Sequence, residues 1–128
     1  MDTSEKYIKM CEKAGEIQKQ WLSKKAGDWH VLEGFNARII GGSENMIIGN
    51  DFYNWDRDSI WLPRQDQLQG MMKDSKPLIS EEKFHEWFRE IGASWTASWE
   101  QLWLGFVMHE KYGKVWDDSK EEWQLAEN

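Results

Sequence analysis

The sequence predicts an α+β fold: an N-terminal helix, an antiparallel β-meander of four or five short strands, then three or four helices packed on the sheet. Three observations carry this. Apolar residues recur at three and four along the first two dozen positions. Between about 28 and 62 the pattern changes to short β-branched and aromatic runs separated by turn residues. Beyond Pro63 the helical spacing returns. The elements are segregated along the chain, which is the α+β arrangement. At 128 residues, a single domain over 1–128 is expected.

The first helix is expected over 3–23. Asp2 with Glu5 three residues on resembles a capping box, and Tyr7, Met10, Cys11, Ala14, Ile17, Trp21 and Leu22 form one stripe. Gly27 closes it. The runs "WHVLE", "FNARII", "MIIG", "FYNW" and "SIWLP" are the strands, and connections this short suit only antiparallel neighbours. Pro63 fits the first position of a helix reaching Lys73, with Leu68, Met71 and Met72 on its apolar side. Ser80 reads as the N-cap of the next helix, with Ile79 stapling to Phe84 and the stripe Phe84, Trp87, Phe88 and Ile91 buried. A short last helix is expected over 118–125, opening at Asp118 with Glu121 three residues on.

"WTASWEQLW" sets Trp95, Trp99 and Trp103 four apart, in a long helix that ends near Tyr112–Gly113. If Ser94 caps it, all three rings share a face; if Ser98 caps it, with Gln101 completing a capping box, only Trp99 and Trp103 do. In either case Trp99, Leu102, Trp103 and Phe106 form a core stripe. Leu104 and Met108 fall on the opposite side and are the candidate interface to a second helix, a neighbouring subunit or a partner, so a homo-oligomer is allowed for.

The totals exclude several functions. The formal net charge of −7, from 16 Lys+Arg and 23 Asp+Glu, argues against nucleic-acid or anionic-membrane binding. The single cysteine, Cys11, allows no intrachain disulfide and suits a reducing cytoplasm. No secretory h-region or membrane-length apolar run is present. His30, His85 and His109 lack ligand spacing, and the Asp51, Asp56 and Asp58 run lacks the glycine and terminal glutamate of a calcium loop, so no metal and no cofactor is expected. Phosphate loops and nucleophile elbows are absent as well, and the chain is read as non-catalytic.

Ten tryptophans are several times the usual share. The densest polar group beside one of them is "IWLPRQDQLQ". Here Trp61 ends a strand while Arg64, Gln65 and Gln69 sit on the first turns of a helix, whose N–H groups and dipole suit an anion. Trp61 could stack on a planar, nucleotide-like ligand; the structural alternative is a folding junction with Trp61 in the core and Arg64 paired to a neighbouring acid. "WLPRQDQLQ", "EQLWLGFVMHEKYGKVWDD" and "YIKMCEKAGEIQKQW" together resemble a group of small proteins encoded in bacteriophage and prophage genomes. That resemblance carries no catalytic residue. It implies expression in the cytosol of an infected bacterium and a role against host defence, by sequestering a signalling nucleotide or by binding a host protein through a Trp/Met surface.

Overall fold

The computed structural model describes residues 1–21, 28–32, 38–39, 59–72, 77–90 and 97–126. Helices and small antiparallel sheets alternate along the chain, which is broadly α+β. The backbone groups into two compact units, Thr3–Pro63 and Arg64–Asn128, the second including Met1–Asp2.

In the first unit α1 spans Glu5–Lys13 and α2 spans Gly15–Gln18. The cap of α1 is Ser4 rather than Asp2: its Oγ accepts the Tyr7 N–H at 3.2 Å. A single helix over 3–23 does not form. The chain breaks at Ala14 (φ −90°, ψ 70°), just before Gly15, a residue of low helix propensity. The stripe survives the break, because Tyr7, Met10, Cys11, Ala14 and Ile17 are all fully buried. α1 packs on β3, and the Tyr7 hydroxyl donates to the Pro63 carbonyl.

Three strands are described here: β1 Trp29–Leu32, β2 Arg38–Ile39 and β3 Ser59–Leu62, in the order β2-β1-β3, all antiparallel. β3 therefore returns beside β1 instead of following β2. The other expected strands fall within 40–58, outside the described residues.

In the second unit α3 spans Gln65–Gly70, α4 Pro77–Glu90, α5 Trp99–Tyr112, β4 Lys114–Asp117 and β5 Glu122–Leu125. Pro63 is not the first residue of α3. Arg64 takes the cap position, and its backbone N–H donates to Gln67 Oε1 at 2.8 Å. The proline at a first helical position is instead Pro77, where the missing N–H has no helical partner to lose. Ser80 consequently lies inside α4 and is not its cap.

Ser98 caps α5, its Oγ accepting the Gln101 N–H at 3.1 Å, while Ser94 and Trp95 lie outside the described residues. Gly113 ends α5 in the left-handed region, φ 63°, and its N–H bonds the His109 carbonyl. The core of this unit is aromatic: Phe84 stacks on Trp103 at 4.3 Å and 10°, and Phe106 meets both rings edge-on.

The expected helix over 118–125 is a β-hairpin. β4 and β5 pair antiparallel with Trp116 opposite Trp123, ring centroids 5.3 Å apart. Asp117 Oδ1 accepts the N–H groups of Ser119 and Lys120, folding the turn, and Glu121 takes the positive φ (53°) that lets β5 return. No helix among the described residues is long and apolar enough to cross a membrane.

Candidate functional site

The strand-to-helix junction falls across both units: Trp61 in the first, Arg64, Gln65 and Gln69 in the second. Within the second, Arg64 is committed to Asp66 through Nε–Oδ1 at 3.0 Å and a longer second contact at 3.4 Å. That hydrogen bond, ahead of the plain charge attraction, holds the Asp66 carboxyl below its usual range. Gln65 is half-buried and Gln69 exposed, on a helix of six residues. Arg64 thus pairs with a neighbouring acid two residues on.

Trp61 is different. Its side chain is only 5% exposed, and its backbone is gripped from α2: Gln18 Oε1 accepts the Trp61 N–H at 2.8 Å, and Gln18 Nε2 donates to the Trp61 carbonyl at 2.9 Å. Those two backbone groups face α2, so the pair Trp61–His30 across β3 and β1 is of the type without mutual ladder bonds, in which side chains stand closest. Directly opposite residues share a face of the sheet, and so do residues two apart on a strand. Trp61, His30 and Ser59 therefore stand on one face.

Trp21 covers this face. Its ring lies 9° from parallel to Trp61 at 5.9 Å, 6.4 Å from the His30 ring, with its indole N–H on Asp28 Oδ2 at 3.0 Å. Trp21 itself is half-buried, whereas His30 is 1% exposed. The Trp61 indole N–H and Ser59 Oγ are both buried, and neither finds a hydrogen-bond partner among the described residues. Sequence reasoning took up His30 only as a possible metal ligand and did not group it with Trp61. The missing signal was strand register, which a linear pattern does not carry.

The expected interface residues, Leu104 and Met108, are fully buried within the chain. α3, α4 and β4 all pack on α5, which explains a helix apolar on two sides. Among the described residues the exposed large apolar side chains are Met1, Trp99 (58%) and Leu125 (76%). A shallow cleft of about 490 Å³ lies by the hairpin between His109, Asp117, Asp118 and Leu125. Its acids serve the local fold: Asp117 holds the turn, and Asp118 accepts the Trp116 indole N–H at 2.9 Å. No group of three or more His, Cys, Asp or Glu among the described residues is placed to hold a metal ion. No family model, curated protein or solved structure matches the chain.

Proposed function

We propose that the chain is a non-catalytic binding protein that holds a small planar ligand at the Trp61 face of its N-terminal sheet. One observation carries the reading: the Trp61 indole N–H, buried and without an acceptor among the described residues. A buried donor left unmade costs about 1–3 kcal/mol. A group of this kind in a folded protein calls for an explanation, and an acceptor supplied by a bound molecule is one. Half-buried Trp21, near-parallel to Trp61 and lying over it, is the ring on which a flat molecule would rest. The resemblance to phage-encoded proteins supports a sequestering role for such a site.

The test is Trp61→Phe, which keeps an aromatic ring and removes the N–H. In a thermal-shift screen against nucleosides, nucleotides and aromatic metabolites, a ligand raises the melting temperature of the parent protein. The variant should lose that rise. If no compound moves the parent and Trp61→Phe melts higher than the parent, the N–H is merely a strained core group and the reading fails.

A second reading, binding of another protein, is favoured by Trp99. Its ring is largely exposed while lying 6.4 Å from Phe84, at the border of the aromatic core. Trp99→Ala should then abolish partner binding and leave the melting temperature nearly unchanged.

A further inference from the structure

We infer that Ser59 is a second ligand-binding residue of this face, and that the ligand is an uncharged heteroaromatic ring of the nucleobase type. Such a ring carries an acceptor and a second polar atom on one edge. The inference rests on the Trp61 reading above and names its ligand class. Ser59 opens β3 two residues before Trp61, so both stand on one face of the sheet with Cα atoms about 6.6 Å apart. Ser59 as a residue is half-buried, yet its Oγ is buried and, like the Trp61 indole N–H, has no hydrogen-bond partner among the described residues. Each unmet group costs free energy on its own, and one bound molecule answers both.

The chemistry of the pair sets that of the ligand. Indole is a donor only and needs an acceptor, whereas a serine hydroxyl both donates and accepts and takes either. The edge that meets them therefore carries at least one acceptor, with a second heteroatom of either kind beside it. Trp21, half-buried and 9° from parallel to Trp61, supplies the flat surface that an aromatic ring uses and a saturated one does not. Indole and hydroxyl are both neutral. A charged edge would give up its hydration for two neutral partners, so an uncharged edge fits better.

The experiment is isothermal titration calorimetry with free adenine, cytosine, uracil and hypoxanthine, and with indole, a flat ring that has a donor but no acceptor. At least one base should bind, about ten-fold or more tightly than indole. Ser59→Ala should weaken that base about five- to ten-fold and leave indole unchanged. Without ligand, Ser59→Ala should melt at or above the parent temperature, because it removes an unmet buried hydroxyl. A base that binds the variant as tightly as the parent, or a variant that melts lower, overturns the Ser59 assignment and leaves the Trp61 reading standing. Indole binding as tightly as every base overturns the ligand class. If no base binds, the inference is overturned, and the melting temperature of Trp61→Phe then decides the Trp61 reading separately.

Discussion

The Asp2 carboxylate accepts a hydrogen bond from the Gln101 side-chain amide at 2.8 Å, across 99 positions of sequence. It also accepts the hydroxyl of Ser98, the cap of α5, and that hydroxyl in turn accepts the Gln101 backbone N–H. The Asp2 N–H donates to Glu100 Oε1 at 2.9 Å. Asp2 therefore adds a negative charge to the positive end of α5 and orients its capping group. Asp2→Ala is expected to destabilise the protein by about 1–2 kcal/mol, read by urea unfolding, with Asp2→Asn recovering part of the loss. An unchanged midpoint for Asp2→Ala would show that Ser98 suffices alone.

Gln18 offers a sharper test of the first unit. Its amide bonds the Trp61 N–H, the Trp61 carbonyl and, at 3.0 Å, the Cys11 carbonyl. Gln18→Ala removes the side-chain partner of both Trp61 backbone groups, while the Cys11 carbonyl keeps the Ala14 N–H, and about 2–3 kcal/mol should be lost. Gln18→Glu keeps the acceptor for the Trp61 N–H but sets a carboxylate oxygen against the Trp61 and Cys11 carbonyls, so it should cost at least as much as alanine.

Two glycines should respond to alanine with opposite signs. Gly113 holds φ 63°, where a Cβ is strained, so Gly113→Ala should cost about 1 kcal/mol. Gly15 opens α2 without a positive φ and has no atom within 4 Å of where a Cβ would stand, so Gly15→Ala should stabilise by about 0.4–1 kcal/mol. Melting temperatures measured side by side check both signs.

The Arg64–Asp66 pair sets an acid-side dependence. The folded Asp66 carboxyl titrates below its unfolded value, chiefly through the Arg64 hydrogen bond. Its contribution is therefore complete above an unfolded carboxylate pKa of about 3.9 and fades as pH falls through the lower folded value. The pair is 34% and 70% exposed, so the effect should stay below about 0.5 kcal/mol. Comparing Asp66→Asn with the parent from pH 7 to pH 2 should show a small gap that closes in acid. An NMR titration in Arg64→Ala should show the Asp66 midpoint moving up.

Local signals in the sequence offered Ser98 beside Ser94 as a cap and located Gly113 and the buried face of α1, because caps and stripes are decided within a few residues. They put Trp99 in the core stripe of α5, although it is largely exposed, and Leu104 and Met108 outside that stripe, although both are fully buried. The C-terminal hairpin was misread for a physical reason. Trp116 and Trp123 are seven apart, a spacing shared by two helical turns and by opposite positions of this hairpin. Asp118 and Glu121 imitate a helix start, yet Asp118 serves the Trp116 indole and Glu121 takes a left-handed turn. Asp2 misled in the same way: its partners lie far along the chain, beyond any local pattern. At the candidate site Trp61 was legible as a strand-end aromatic, but its neighbours Trp21 and His30 come from register and packing.

The grouping of Met1–Asp2 with Arg64–Asn128 makes the stretch Thr3–Pro63 an insertion within the other unit's sequence. This orders events on the ribosome. Residues 3–63 emerge complete and can begin to fold early, while Asp2 must wait until Ser98 and Gln101 have left the exit tunnel. Forming the Asp2–Ser98 connection closes a long stretch of chain, and the entropic cost of that closure grows only slowly with the residues enclosed. Lengthening the stretch 40–58 should accordingly leave the Asp2–Ser98 connection almost as easy to form as before.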